Sequence, residues 1–155
     1  MRTGTFTKIY IQVVFAVRGR ASLISERWEE NLNKYITGIV TNQGQKMLAI
    51  NGAYDHIHFL IGMKPSCCLS DLVRDIKKAT NEWINTNQFT KSHFSWQEGY
   101  GGFSYSYRDL DSVIAYIHNQ KEHHKRNSFK EEYILMLNDF NIDFKDEYLF
   151  KWIED

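Results

Sequence analysis

The sequence predicts one α+β domain whose first six elements, in the order βαββαβ, form a ferredoxin-like antiparallel sheet with two helices on one face. Two patterns predict this fold. Short segments alternate apolar with less apolar residues, as strands do, and longer segments repeat apolar residues every three or four positions, as helices do. Because 43% of the 155 residues are hydrophobic, the chain can bury a single core, and we expect one domain over residues 1–155.

The first strand and the first helix follow from these patterns. Apolar residues alternate with less apolar ones over residues 5–17, which predicts a strand with one strongly apolar face. Apolar residues at helical spacing over residues 26–42 predict the first helix. Ser25 precedes this helix as a candidate N-cap, and Gly44 follows it as a typical helix stop.

Three strands and a second helix complete the predicted βαββαβ unit. The second and third strands cover residues 47–54 and 56–63, and Ser70 is expected to cap the helix that follows them. Residues 103–107 alternate like a fourth strand. In this fold the first and third strands lie at the centre of the sheet.

Two further helices are expected after this unit. The first begins at Asp109 or Asp111 and runs through Tyr116 to about His124, and the second covers residues 129–138. The sheet face that the earlier helices leave open is therefore available to these C-terminal helices or to a ligand.

A pair of histidines, His56 and His58, lies on the predicted third strand. Alternate residues of a strand point to the same side, so both imidazoles are expected on one face, where they could hold one metal ion. Two polar residues on a solvated sheet face would give the same pattern, so the pair alone does not decide between these interpretations.

A tyrosine with polar residues at helical spacing is the second signal. Tyr116, Gln120 and His124 are four positions apart, which predicts one stripe along a helix. Such a tyrosine could be a nucleophile beside a metal, although half-buried tyrosines are also common on amphipathic helices. His123 and His124 diverge by about 100° on a helix, so at most one is expected at a metal site. Both stay candidates for contacting phosphate, for capping a helix end or for supporting the metal ligands from behind.

Together, the two signals resemble the single-tyrosine HUH transposases, which mobilise bacterial and archaeal insertion sequences as single strands. The resemblance covers nearly the whole chain and includes residues 9–15, 52–58, 94–101, 103–106, 113–120 and 123–124. It implies that His56 and His58 bind a metal with Gln120 as the third ligand, and that Tyr116 is the nucleophile. Gln12 departs from the pattern, since members often have histidine there, and it is expected near the histidine pair.

The resemblance also implies an activity, a cofactor and partners. Members bind hairpins of single-stranded DNA and cut and rejoin strands through a 5′-phosphotyrosine, with Mg²⁺ or Mn²⁺ as the divalent metal. A homodimer is implied, in which the tyrosine helix can complete the partner's site. The basic side chains that could contact DNA are Lys8, Arg18, Arg20, Arg74, Lys77, Lys78, Lys121 and Lys125.

Composition and charge limit the other function classes. The 19 basic and 19 acidic residues balance, which is unusual for a nucleic-acid-binding protein, but acidic residues concentrate in the tail from Glu131 onward. No segment approaches the roughly 20 apolar residues of a membrane helix, and residues 1–5 lack an apolar signal core, so we expect a cytoplasmic protein. Cys67 and Cys68 lack a spaced partner pair, and we expect reduced thiols with no zinc role.

Three alternative functions stay open. A domesticated HUH nickase that acts on dispersed genomic repeats, or a replication initiator, would use the same chemistry in another process. A ferredoxin-like module that binds RNA or DNA without catalysis would not need Tyr116 or the three ligands. An inactive remnant of an element would keep these residues without the activity.

Overall fold

A computed structural model of the chain describes residues 4–153, so the predicted domain limits at residues 1 and 155 lie outside the described part. The strands are β1 (Tyr10–Ala16), β2 (Lys46–Gly52), β3 (His56–Gly62) and β4 (Gly101–Tyr105). The helices are α1 (Glu26–Asn42), α2 (Leu69–Thr86), α3 (Leu110–His118), α4 (Gln120–Arg126) and α5 (Phe129–Asp139). Short 3₁₀ helices cover Arg20–Ser22, Tyr107–Asp109 and Asp146–Tyr148. None of the helices in the described part is long and apolar enough to span a membrane.

The strands form one antiparallel sheet in the order β2-β3-β1-β4, which confirms the predicted ferredoxin-like α+β fold with β1 and β3 at its centre. β1 is shorter than the predicted strand 5–17, because β3 and β4 pair with it only from Tyr10 onward. Likewise, β4 lies two residues earlier than predicted, since Gly101 pairs with Val14 of β1.

Helices α1 and α2 cover one face of the sheet. Val13 and Phe15 of β1, with Phe59 of β3, are fully buried on that face. α1 begins after Ser25, whose side chain accepts a hydrogen bond from a backbone N–H of the first turn, as the sequence predicts. The predicted cap at Ser70 is wrong. The N-cap of α2 is Cys68, because its carbonyl already accepts the first helical hydrogen bond, and Ser70 lies within the first turn.

Helices α3 and α5 cover the opposite face, as the open sheet face predicts. Val113 and Ile117 of α3 form a small apolar cluster with Leu60 of β3. Tyr133 of α5 packs so close to Gly101 that a Cβ at this glycine would lie 2.7 Å from the tyrosine hydroxyl oxygen. The absence of a side chain at this position of β4 therefore lets α5 lie directly on the sheet.

The predicted continuous helix from Asp109 to His124 is wrong, because it breaks at Asn119. The backbone angles of Asn119 are φ −95° and ψ 17°, and its N–H donates to carbonyls of the preceding turn, which ends α3. α4 begins at Gln120, whose side chain is fully buried. Asparagine favours helix ends over helix interiors, but one such residue is a weak signal in a sequence.

Candidate active site

The two histidines of β3 point to the face that α3 and α5 cover. His56 lies opposite Ala16 of β1, and His58 lies opposite Val14. Both side chains are 0% exposed, so the alternative of two polar residues on a solvated sheet face is wrong. The centroids of the two imidazole rings are 5.0 Å apart, which is close enough for both rings to contact one bound ion.

His56 is fixed by contacts on both of its ring nitrogens. Its Nδ1 lies 2.7 Å from Oδ1 of Asp55, and its Nε2 lies 2.9 Å from Oε1 of Gln120. The ring stacks on Phe129 of α5 at 3.9 Å between centroids. Burial lowers the pKa of His56, but hydrogen bonds and negative charges of Asp55 and Glu132 outweigh burial and raise the pKa to about 9.

His58 is oriented by Gln12, the residue at which the sequence departs from the family pattern. Nδ1 of His58 lies 2.7 Å from Oε1 of Gln12, whose amide nitrogen donates to the Tyr105 hydroxyl at 2.7 Å. The two ring nitrogens of His58 thus face Gln12 and Glu132, with Nδ1 turned toward Gln12 and Nε2 turned inward. Burial lowers the pKa of His58, although its hydrogen bond with Glu132 opposes this shift.

Tyr116 of α3 lies beside the histidines, half-buried, with its ring centroid 5.9 Å from that of His58. Its hydroxyl donates to Oε2 of Glu132 at 2.5 Å. Burial raises the pKa of Tyr116 far above its usual range, and the negative charge of Glu132 raises it further. The phenol is therefore protonated in this arrangement.

Glu132, the acidic residue at the centre of the site, is not among the residues that the sequence predicts. Its Oε1 lies 2.9 Å from Nε2 of His58 and 3.4 Å from Nε2 of His56. Burial raises its pKa, but hydrogen bonds from His56 and His58 outweigh burial and hold the pKa far below its usual range. The available signal was its place on α5 between two buried aromatic residues, Phe129 and Tyr133, since a carboxylate among core positions needs a partner.

We call His56, His58, Tyr116, Gln120 and Glu132 the tyrosine–histidine cluster. The structure thus brings together the four residues that the sequence analysis selected for catalysis and metal binding. Gln120 reaches the cluster from the start of α4, where its amide nitrogen donates to Oε2 of Glu132 at 3.3 Å.

The donor atoms of the cluster fit a divalent cation. One ligand atom each from His56, His58 and Glu132 lie within 4.8 Å of one another, and Gln120 adds an amide oxygen beside His56. Imidazole nitrogens with carboxylate and amide oxygens suit ions such as Mn²⁺, and oxygen ligands suit Mg²⁺. Because other side chains hold both Nδ1 atoms, the Nε2 atoms converge on the same space, as the ligating nitrogens of metal-binding histidines do.

A second group of potential ligands lies on the other side of His56. Asp55, His56 and His124 also offer ligand atoms within 4.8 Å of one another. Within the described part of the chain, the buried Nδ1 of His124 has no hydrogen-bond partner. Of the two adjacent histidines, His124 therefore lies behind His56, whereas the His123 ring lies 4.6 Å from that of Tyr116.

Two clefts adjoin the tyrosine–histidine cluster. We call one the basic cleft, and it is lined by Tyr54, Asp55, residues 124–130, Trp152 and Ile153. We call the other the apolar cleft, and it is lined by Gln12, Tyr105, Ser112, Val113, Tyr116, Glu132, Leu135, Met136, Asp139 and Phe140. Because Tyr116 and Glu132 line the apolar cleft, a ligand in it would contact the phenol directly.

Two of the predicted DNA contacts lie near the cluster. Lys125 lines the basic cleft, together with Arg126 and Lys130, which the sequence analysis did not select. Lys121 is on the same helix, and its ammonium group lies 2.5 Å from a carboxylate oxygen of Glu29.

The other predicted contacts lie on other surfaces. Arg74, Lys77 and Lys78 are on α2, which covers the opposite face of the sheet. The ammonium group of Lys77 donates to two backbone carbonyls, so its contacts within the chain are already strong. Lys8, Arg18 and Arg20 are exposed and flank β1, where Lys8 and Arg18 line separate surface clefts.

Comparison with known proteins gives a family and two similar folds. The sequence profile of a family described as "Transposase IS200 like" matches residues 5–120. A candidate transposase from Deinococcus radiodurans R1 has a similar structure, with a TM-score of 0.62 and 21% identity over 77% of this chain and 96% of that chain. A REP-associated tyrosine transposase bound to a REP hairpin has a TM-score of 0.59 and 16% identity over 80% of this chain and 73% of that chain. No curated protein matches the chain.

Proposed function

The chain belongs to the IS200-like transposase family, and from this premise we propose that it cuts and rejoins single-stranded DNA with Tyr116 as nucleophile. One observation carries the proposal. The Tyr116 hydroxyl lies in the same buried cluster as His56, His58 and Gln120, although the histidines and the tyrosine come from separate elements. This combination offers a nucleophile beside a metal site, which the alternative of a non-catalytic binding module does not need.

The proposed reaction exchanges one phosphodiester bond for another. The phenol oxygen of Tyr116 forms a bond to phosphorus, and the bond from phosphorus to the 3′ oxygen of the neighbouring nucleotide breaks. The phenol loses its proton and the departing 3′ oxygen gains one, so no net proton is consumed. The 5′-phosphotyrosine conserves the bond energy, and a second 3′-hydroxyl can attack it to rejoin strands without ATP.

The residues of the cluster would have different roles in this reaction. His56, His58 and Gln120 would hold Mg²⁺ or Mn²⁺, which when bound would withdraw charge from the scissile phosphate and favour the phenolate of Tyr116. Asp55 and Gln12 hold the two imidazoles so that Nε2 of each faces the cluster. The positive charge of the metal would be needed beside the Tyr116 hydroxyl, because burial and the negative charge of Glu132 otherwise keep the proton on the phenol.

We propose that the substrate is a single strand that carries a hairpin and that the active protein is a homodimer. The REP hairpin bound to the similar REP-associated transposase supports the choice of hairpin. Lys125, Arg126 and Lys130 in the basic cleft offer positive charge to phosphates beside the cluster. Phosphate contacts position a nucleic acid, whereas contacts to bases select its sequence.

The test is a cleavage assay on single-stranded hairpin DNA with Mg²⁺ or Mn²⁺. We expect a covalent protein–DNA adduct that is absent with Tyr116→Phe and present with Tyr148→Phe, a control at a tyrosine that is 79% exposed. His58→Ala is expected to abolish the metal-dependent cleavage. An adduct with the Tyr116→Phe protein would show that another residue is the nucleophile. Binding of the hairpin without any adduct would favour the non-catalytic module or the inactive remnant.

A domesticated, repeat-associated role is the second candidate, supported by the similarity to the REP-associated transposase. It shares the chemistry and differs in the hairpin that is cut. A panel of hairpins from insertion-element ends and from dispersed repeats discriminates the two roles, since each predicts cleavage of its own class.

A further inference from the structure

Glu132 contacts all four other members of the tyrosine–histidine cluster. One carboxylate oxygen, Oε1, faces Nε2 of His58 and of His56 at 2.9 and 3.4 Å. The other oxygen, Oε2, accepts the Tyr116 hydroxyl at 2.5 Å and the amide of Gln120 at 3.3 Å. The carboxylate therefore links the nucleophile to the metal-binding side chains, and its two oxygens have separate partners.

The position of this carboxylate is set by a well-anchored helix. Ser128 and Glu131 form a reciprocal capping box at the start of α5, and the next residue, Glu132, donates its backbone N–H to the Ser128 carbonyl at 3.1 Å. Phe129 stacks on the imidazole of His56, and Tyr133 packs against Gly101. The side chain of Glu132 is only 10% exposed, so it does not sample solvent as a surface glutamate would.

We propose that Glu132 is a fourth ligand of the metal through Oε1 and that its Oε2 holds the Tyr116 hydroxyl beside the metal. This inference rests on the proposed function. Two neutral imidazoles and one amide supply no negative charge to a divalent cation, and a carboxylate supplies it. A cation that contacts Nε2 of both histidines lies within reach of Oε1, because these three ligand atoms are within 4.8 Å of one another.

Helix α5 then belongs to the catalytic site, although the profile of the family ends at residue 120. The cluster draws on β3, α3, α4 and α5, so a ligand set limited to His56, His58 and Gln120 leaves out its acidic member. Glu132 would couple two events, since binding of the metal at Oε1 fixes the same carboxylate that orients the phenol.

Metal affinity is the first test. Mn²⁺ titrated calorimetrically into the full chain without DNA should bind Glu132→Gln on the order of tenfold or more weakly than the unchanged protein. Glu82→Gln, the same change at an exposed site on α2, should bind as the unchanged protein does. Glu132→Asp keeps the charge and should bind more tightly than Glu132→Gln. Equal affinity of Glu132→Gln and the unchanged protein, with both proteins folded by circular dichroism, would overturn the fourth-ligand assignment.

The same titration separates this inference from the proposed function. If His58→Ala loses Mn²⁺ binding while Glu132→Gln keeps it, the histidine site stands and the role of Glu132 is wrong. If neither variant loses binding, the metal site of the proposed function is wrong as well.

Adduct formation at saturating Mn²⁺ tests the contact with Tyr116. The positioning role predicts that Glu132→Gln forms the adduct at least tenfold more slowly even when the metal site is full, because the loss of the contact that orients the Tyr116 hydroxyl outweighs the removal of a nearby negative charge. Full recovery of the rate at high Mn²⁺ would overturn the positioning role and leave Glu132 as a ligand alone.

Discussion

His56 and Glu132 form a charged pair in the buried centre of the protein, where Asp55 is a second carboxylate beside the imidazole of His56. Glu132 and Asp55 raise the pKa of His56, and His56 and His58 in turn lower that of Glu132. The cluster therefore stores a proton on His56 and a negative charge on Glu132. A divalent cation that replaces the proton would find the ligands already oriented.

The stability of the metal-free protein should follow the ionisation of these residues. The pKa of His56 rises from 6.5 in the unfolded protein to about 9 in the folded protein. Its contribution to the free energy of unfolding is therefore complete below pH 6.5 and is lost as pH rises through 9. His58 and Glu132 have lowered pKa values, so their contributions are lost as pH falls. Urea unfolding in EDTA should give a maximum near pH 6.5 and a loss of up to about 3 kcal/mol by pH 9.

Two variants check this pH dependence. His56→Gln should flatten the slope above pH 6.5, whereas His93→Gln, at an exposed histidine, should leave the slope as it is. A slope that is unchanged in His56→Gln would assign the alkaline loss of stability to another group.

The hairpin of β2 and β3 sets the start of the strand that carries both histidines. The Ala53 N–H donates to the His56 carbonyl at 3.1 Å, and a Cβ at Gly52 would lie 2.3 Å from that same oxygen. The backbone carbonyl cannot move aside to make room for a Cβ, as a flexible side chain could. The small residue at the end of β2 is thus needed to place His56.

Gly52→Ala should therefore lower the free energy of unfolding by roughly 2 kcal/mol or more and weaken Mn²⁺ binding. Gly38→Ala is the matched control, since within the described residues a Cβ there would meet no atom within 4 Å beyond its own stretch of α1, and alanine favours the helical conformation. It should stabilise the protein by about 1 kcal/mol. Chemical denaturation measures both, and equal effects of the two substitutions would contradict the close-approach argument.

Local patterns in the sequence account for most of the elements. α1 covers the predicted range 26–42, because its cap and apolar spacing are local signals. The break at Asn119 rests on one asparagine, which is a weak local signal, and the packing of α5 on the sheet depends on tertiary contacts such as that of Tyr133 with Gly101. His56, His58, Gln120 and Tyr116 could be selected from spacing and resemblance, whereas Glu132 belongs to no motif and has only its place among the apolar positions of α5 as a signal.

Within one chain, the fold brings Tyr116, Gln120 and the two histidines of β3 to the same face of the sheet. Helices α3, α4 and α5 each contribute to this face, while α1 and α2 support the sheet from behind. The family resemblance implied a tyrosine helix that can complete the partner's site. Because the Tyr116 hydroxyl contacts Glu132 of the same chain, we propose that each chain completes its own site.

Mixing two inactive variants distinguishes these arrangements. Light scattering should show the proposed dimer at twice the chain mass of 18.4 kDa. In this dimer, Tyr116→Phe and His58→Ala chains should not restore each other's activity. Each chain would lack one part of its own site. Recovery of adduct on co-expression, with DNA attached to the His58→Ala chain, would show that the tyrosine acts in the partner's site.

Whether Tyr116 is the nucleophile is decided by the identity of the residue that becomes linked to DNA. Hairpin DNA is cleaved with Mn²⁺, the protein is digested, and the peptide that carries nucleotide is sequenced by mass spectrometry. We predict a phosphodiester from the Tyr116 oxygen to the 5′ end of the released strand, together with a free 3′-hydroxyl on the other product. A linkage to another residue, or cleavage with no linkage, would contradict it.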